Sequence, residues 1–272
     1  MKFIIIGKTE QLESYIRSHG GQVMLSLDSQ EASVLKNPDV ALPDADYLLN
    51  VYSPHILKSH VLNKFQDRAF NVHNGKLPQY AGIHVHQWAI RNGEHETAVT
   101  VHKITKEIDQ GDIIAERPIL ISNNDTGLTL FQKTLKEGVS LMMEVVDLLL
   151  SNANLIAKPQ NITERKLYMH SDSLDPTINW GKSAKEIRNF IRAGSYYPLK
   201  SPTYTASLWD AKQGEILILE AQIVDLEGEP GQLLDLNEKG PLVACGEQAL
   251  RLTRVKQHRD TKINWKQLLQ SY

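Results

Sequence analysis

A single cysteine, Cys245, stands in 272 residues. No internal disulfide can form, and a zinc site built on several thiolates is excluded, so the chain reads as one suited to a reducing compartment. Cys245 itself reads as a small buried apolar residue. Long hydrophobic runs are missing too: none approaches the roughly 18 residues that span a bilayer, and Phe3-Ile4-Ile5-Ile6 is too short for a signal core. A cytoplasmic protein with no membrane partner is expected. Charge of one sign is equally scarce, since 30 Lys and Arg against 32 Asp and Glu leave a net charge of −2. That balance offers no general attraction to a polyanion and disfavours nucleic acid. The Gly-x-Gly-x-x-Gly fingerprint is absent after the first strand, which argues against a dinucleotide site there.

At 41% hydrophobic residues the chain has enough apolar side chains for one large core or two modest ones. Lys2 to Ile6 reads as a buried strand, and Thr9 as the cap of a helix through Leu12, Tyr15 and Ile16 that stops at Gly20-Gly21. Val23 to Leu27 and Tyr47 to Val51 read as further strands, followed by a helix through Leu62 and Phe65. Such alternation implies an α/β fold, a Rossmann-like and mostly parallel sheet flanked by helices, with ligands beyond the carboxyl ends of its strands. His84 to Asn92 reads as a short helix, and Thr97 to Ile104 and Ile113 to Ile121 as strands. A long helix capped by Asp125 or Thr126 carries Leu128, Phe131, Leu135, Val139, Met142, Val146 and Leu149 on one face.

Composition changes after that helix. Residues 1–153 are read as the catalytic domain, 154–177 as a linker and 178–272 as a small C-terminal domain. Ser183-Ala184-Lys185-Glu186 has the form of a capping box. The short strands that follow it, down to Ala249 to Val255, fit a small OB-like β-barrel.

The most informative stretch runs Phe70-Asn71-Val72-His73-Asn74-Gly75-Lys76-Leu77-Pro78-Gln79-Tyr80-Ala81-Gly82 and closes with Ile108-Asp109-Gln110-Gly111-Asp112. Asn71 and His73 are two apart, so they leave one face of a strand end together, just before a Gly/Pro turn. An imidazole with a catalytic task needs a carboxylate to fix its tautomer, and Asp109 is the best placed acid downstream. His84-x-His86 with His95 and His102 invites a metal reading. No helical His pair at i, i+4 supports it, and no metal is expected. Lys76 and Tyr80 offer a cation and an aromatic hydroxyl suited to a phosphate or sugar, with His84 as a pocket wall.

Asn-x-His, the Leu-Pro-x-Tyr-x-Gly loop and Ile-Asp-x-Gly-Asp together resemble the active-site signature of the formyltransferases that use N10-formyltetrahydrofolate. Asn74-Gly75-Lys76-Leu77-Pro78, Tyr80-Ala81-Gly82-Ile83-His84 and Trp88-Ala89-Ile90 are closest to the nucleotide-sugar N-formyltransferases. Ile178-Asn179-Trp180-Gly181-Lys182-Ser183 and Leu242-Val243-Ala244-Cys245-Gly246 resemble the C-terminal domain of methionyl-tRNA formyltransferases. The resemblance implies Asn71, His73 and Asp109 as catalytic groups. It also implies a pterin slot formed by His55, Leu57, Ile104, Lys106, Glu107 and Ile108, with the loop to Asp112 as lid. The acceptor it implies is a nucleotide-linked amino-deoxy sugar, most specifically a UDP-4-amino sugar of a pseudaminic-acid-type glycan pathway. Methionyl-tRNA, a hydroxyornithine-type amino acid and glycinamide ribonucleotide are the other acceptors, and an idle folate-binding protein is the non-enzymatic alternative. A homodimer is compatible with all of these. A tRNA acceptor would call for a basic face, for which Arg251, Arg254, Lys256 and Arg259 are the candidates.

Overall fold

The structure is a computed structural model that describes residues 1–7, 10–172, 175–210, 214–257, 263–270 and 272. The elements in chain order are β1 (Lys2–Gly7), α1 (Glu10–Ser18), β2 (Gln22–Leu27), β3 (Tyr47–Val51), α2 (Ser59–Phe65), β4 (Ala69–His73), β5 (Ala81–Gly82), α3 (Val85–Arg91), β6 (Glu96–Lys103), β7 (Ile113–Leu120), α4 (Gly127–Leu150) and β8 (Leu167–Tyr168). After these come α5 (Ala184–Gly194), β9 (Ser207–Asp210), β10 (Gly214–Val224), β11 (Leu233–Asn237), β12 (Gly240–Ala244), β13 (Ala249–Gln257) and α6 (Trp265–Leu269). They form two compact units that interleave along the chain. One takes residues 1–85, 96–120 and 132–169; the other takes 86–95, 121–131 and 170–272. Among the described residues no helix is long and apolar enough to cross a membrane.

The first unit is built on a six-stranded sheet of order β2-β1-β3-β4-β6-β7. The first four strands are mutually parallel, and β6 and β7 run antiparallel at the end of the sheet. Ile4, Ile5 and Ile6 are fully buried, as a strand covered on both faces requires, and this explains why β1 reads as a continuous apolar run. Ile4, Ile6, Leu48, Val61, Phe65 and Ala69 pack into one core on one face. Truncating a residue such as Leu48 to Ala there costs about 2–5 kcal/mol. Helix α1 turns Leu12 and Ile16 inward at i, i+4 and carries Glu10 and Glu13 in its first turn and Arg17 in its last, in accord with the helix dipole. The expected cap, Thr9, lies outside the described residues. At the start of α4, Thr126 Oγ1 accepts from Thr129 N (3.2 Å), while Asp125 accepts from Ser122 N (2.7 Å) and Thr129 Oγ1 (3.0 Å). Thr126 is therefore the cap and Asp125 braces the turn before it. Further along α4, a Cβ on Gly138 would fall 1.7 Å from Tyr52 Oη, so only glycine lets the helix lie against Tyr52, whose hydroxyl donates to Thr134 O at 2.8 Å.

Residues 154–169 are also structured. Ile113 and Lys158 exchange two backbone hydrogen bonds of 2.8 Å, and β8 pairs with β5 in a two-stranded parallel ladder.

The second unit carries a five-stranded antiparallel sheet of order β11-β12-β13-β10-β9. Five strands is the complement of an OB-like unit, and the hydrogen-bonded order here has two ends, β11 and β9, as in a partly open barrel. Register shifts around Glu220 bend β10. The capping box is formed as read: Ser183 and Glu186 bond reciprocally, and those hydrogen bonds, with Lys182, hold the Glu186 carboxyl at about 2. Ile187 and Ile191 of α5 join Leu208, Ile216, Leu250 and Cys245 in the core. Cys245 is 1% exposed, and burial pushes its thiol up to about 12, so it is the inert apolar residue expected.

Candidate active site

The site assembles where the sheet changes from parallel to antiparallel. Strand β4 pairs with β3 in parallel and with β6 in antiparallel register, so Asn71 lies opposite His102 and His73 opposite Thr100. Alternation along the strand puts Asn71, His73 and, across the ladder, His102 in one neighbourhood. The chain then leaves β4 through Asn74 and Gly75. A Cβ on Gly75 would fall 2.6 Å from Tyr80 O and 2.8 Å from His73 Nε2, so this glycine is what allows the loop to close over the imidazole. Thr100 Oγ1 donates to Gly75 O at 2.8 Å and pins the same turn.

Asp109 enters from the loop between β6 and β7 with a left-handed backbone, φ +53°. This loop closes tightly, because a Cβ on Gly111 would lie 1.9 Å from Lys103 O. The carboxylate reaches both histidines: Oδ2 is 3.5 Å from His73 Nδ1 and Oδ1 is 3.4 Å from His102 Nε2. Its Oδ2 also accepts from Gly82 N at 2.8 Å.

These partners fix the tautomers. His73 Nε2 lies 2.6 Å from Tyr80 O, which can only accept, so Nε2 carries a proton and Nδ1 faces the carboxylate. His102 Nδ1 lies 2.8 Å from Lys103 O, so it is Nδ1 that is protonated there. That leaves Nε2 to accept from Asn71 Nδ2 at 3.0 Å when the ring is neutral. One N–H of the Asn71 amide is thereby anchored on His102 and the second is held in a fixed direction.

Burial is the largest influence on both ionisable partners and pushes them towards neutrality. For His73 it prevails: the imidazole is lowered below its ordinary value, with Asp109 and the Tyr80 carbonyl opposing and His102 assisting. For Asp109 burial is outweighed by the charge on His73 and by the hydrogen bond and charge of His102 when those rings are protonated, and by the hydrogen bond from Gly82, so the carboxyl is held well below the ordinary carboxylate range. Asp109 thus raises the imidazole, and burial outweighs it. The resting pair is an ionised Asp109 beside a neutral His73 whose Nδ1 can take a proton.

Around this centre the other expected residues divide. Leu57 is buried in the same core cluster as Ile4, Ile6 and Leu48, and Ile104 packs against that cluster. His55 directs Nε2 to Ser29 O at 2.8 Å. Lys106 and Glu107 are exposed on the loop, where Thr105 Oγ1 donates to Glu107 O at 2.9 Å; Ile108 is also exposed. Asp112 lies 3.6 Å from Lys103 Nζ. Lys76 is exposed beside the site. Tyr80 is buried and stacks on Tyr168, with ring centroids 5.6 Å apart, and it meets the centre through its carbonyl. His84 occupies a left-handed backbone position, φ +52°. Among the described residues no group of three or more His, Cys, Asp or Glu is arranged to hold a metal ion.

An amide donor, a neutral imidazole and an ionised carboxylate in one buried cluster can stabilise an oxyanion and move a proton, which is the equipment of acyl-type group transfer. The comparisons agree with that class. Residues 30–146 match the family model described as formyl transferase, and residues 172–272 match the formyl transferase C-terminal domain. A methionyl-tRNA formyltransferase of Sulfurihydrogenibium sp. is 31% identical over 219 residues, covering 79% of this chain and 66% of the relative. Another, from Akkermansia muciniphila, is 30% identical over 221 residues, covering 79% and 68%. The chain thus spans about two-thirds of the length of these curated relatives. The crystal structure of an N-formyltransferase from Helicobacter canadensis, in complex with folinic acid and dTDP-3-aminofucose, superposes with a TM-score of 0.72 at 22% identity. That match covers 93% of this chain and 100% of that one, and shows a common fold. The chain belongs to the formyl transferase family.

Proposed function

We propose that this protein transfers the formyl group of N10-formyltetrahydrofolate to the amino group of a nucleotide-linked amino-deoxy sugar. The observation that carries the reading is the cluster of Asn71, His73 and Asp109, with His73 Nδ1 3.5 Å from the Asp109 carboxylate. In the step envisaged, a neutral amine nitrogen attacks the formyl carbon and the carbonyl oxygen becomes an oxyanion. The unanchored Asn71 N–H donates to that oxyanion. His73 Nδ1 takes the proton that the amine must lose, and Asp109 stabilises the imidazolium while it exists. The proton is then returned to N10 as the bond from carbon to N10 breaks, leaving a formamide and tetrahydrofolate. The pterin is assigned to the segments at Leu57 and Ile104, which share one hydrophobic cluster, with the Asp109 to Asp112 loop as its lid.

A sugar acceptor is supported by the likeness to the Helicobacter canadensis protein along its whole chain. It is supported as well by the weak positive charge on β13, where Arg251 and Arg254 are paired with Asp235 and Glu220 at 2.9 Å each. Arg259 lies outside the described residues. A UDP-linked 4-amino sugar is the acceptor we place first. Methionyl-tRNA is the second reading, favoured by the names of the curated relatives. The buried, unpaired Cys245 accords with work in the cytoplasm.

The test is a formylation assay with N10-formyltetrahydrofolate against UDP-, dTDP- and GDP-linked amino sugars, with methionyl-tRNA alongside, read by mass spectrometry. Formylation of one nucleotide sugar supports the reading, and formylation of methionyl-tRNA alone overturns the acceptor. Failure with all of these, and with a hydroxyornithine-type amino acid and glycinamide ribonucleotide as well, overturns the activity.

A further inference from the structure

The two family models leave residues 147–171 uncovered, and composition alone marks 154–177 as a linker. The hydrogen bonds of this stretch are concentrated on the loop that carries Asp109. Gln160 Nε2 donates to Asp109 O at 3.0 Å and to Gly111 O at 2.6 Å, so one carboxamide bridges both sides of the left-handed turn. Arg165 Nη2 donates to Ile108 O at 2.8 Å. Lys158 is bonded to Ile113, where the loop rejoins the sheet. The same stretch then reaches the other side of the centre. Ala81 N donates to Lys166 O at 3.0 Å and Ile83 N to Tyr168 O at 3.0 Å, on either side of Gly82, whose N–H binds the Asp109 carboxylate.

We propose that residues 158–168 form a strap that sets the position of the catalytic carboxylate, with Gln160 as its principal positioning residue. Three backbone carbonyls of this loop, at Ile108, Asp109 and Gly111, need donors. The loop supplies none to them that the strap does not bring. A left-handed residue other than glycine is held only where its surroundings over-determine it, and the Gln160 bridge does this at Asp109. The strap acts through Asp109 and Gly82, and its catalytic consequence rests on the formyl-transfer reading above.

The test replaces Gln160 and reads the Gly82 amide, which reports where the carboxylate is whether or not turnover occurs. Two net hydrogen bonds of ordinary strength are lost in Gln160→Ala, so hydrogen exchange at Gly82 should quicken about tenfold or more. With the preferred acceptor, kcat should fall about as much while the acceptor KM is retained. Gln160→Glu keeps the size of the side chain but turns a donor toward two carbonyl oxygens into an acceptor, and should act in the same direction. It serves as the working variant if the alanine protein does not fold. Thr163→Ala, whose hydroxyl donates within the strap to Asn161 Oδ1 at 2.7 Å, should leave Gly82 exchange as in the wild type. Wild-type Gly82 exchange in a folded Gln160 variant overturns the proposal, as does equal quickening in Thr163→Ala. If the wild type formylates none of the amines but Gly82 responds to Gln160→Ala, the strap stands and the functional reading falls.

Discussion

Asn71 and His102 stand directly opposite one another on the antiparallel β4–β6 pair, with the amide Nδ2 3.0 Å from the imidazole Nε2. His102 is 2% exposed and is itself tied to Lys103 O, so it is a fixed post to which the amide is moored. Removing the amide in Asn71→Ala should lower kcat by about 10²–10³, the usual cost of an oxyanion donor. His102→Phe, which keeps the ring but not the acceptor, should lower kcat by about tenfold, the worth of a lost hydrogen bond near 1.4 kcal/mol. Steady-state kinetics with the preferred acceptor checks both.

If His73 takes the amine proton as proposed, it sets the acid side of the pH profile. Its imidazole is depressed by burial below the ordinary value of 6.5, and only the neutral form takes a proton, so kcat/KM should hold until the pH is below 6.5 and then decline. Asp109 is the charged group that opposes this depression, beside the Tyr80 carbonyl. Asp109→Asn should therefore carry the acid limb to still lower pH while cutting the maximal rate. Rates across mildly acidic pH for the two proteins decide it, and a limb displaced upward in the variant contradicts the assignment.

Asp109 also makes stability depend on pH. Its carboxyl is held below the ordinary value of 3.8, so between the folded and unfolded values the unfolded chain binds more protons. The stabilisation is complete above pH 3.8 and is lost as the pH falls toward the folded value. The difference in denaturation free energy between the wild type and Asp109→Asn should be large near pH 7 and shrink toward pH 3.

Two glycines near the centre tolerate no side chain. Gly111→Ala would place its Cβ 1.9 Å from Lys103 O, and Gly75→Ala 2.6 Å from Tyr80 O. Each neighbour is backbone and cannot swing away, so each variant should lose about 1–3 kcal/mol of stability, the range for overpacking, and most of its activity. Thermal melts and initial rates measure the two effects separately.

Lys76 is exposed and lies three residues beyond His73. If it meets a nucleotide phosphate, Lys76→Ala should raise the acceptor KM about tenfold with little change in kcat. An unchanged KM removes Lys76 from the acceptor contacts.

The sequence shows Asn71, His73 and Asp109 because each sits in a short motif whose residue types have a chemical reason to occur together. The strands and helices of the first sheet are legible for a similar reason, their period and caps being local. His102 is not legible in this way. Its place beside Asn71 depends on β6 running against β4, a register chosen by the whole sheet, and in the sequence it stands as one histidine of a loose set that only suggests a metal. Gln160 is hidden for a related cause. Its target is backbone carbonyls, which leave no mark on residue type, and its neighbours have the polar composition of a connector. At Tyr80 the hydroxyl is what the sequence displays, whereas the carbonyl that meets His73 leaves no mark on residue type.

The interleaving of the two units limits how this polypeptide can be divided. The first has members from residue 1 to 169 and the second from 86 to 272, so any single scission parts residues that belong to one unit. A fragment ending at residue 169 keeps every member of the first unit, whereas one that keeps the whole second unit must begin by residue 86 and carries residues 96–120 and 132–169 of the first along with it.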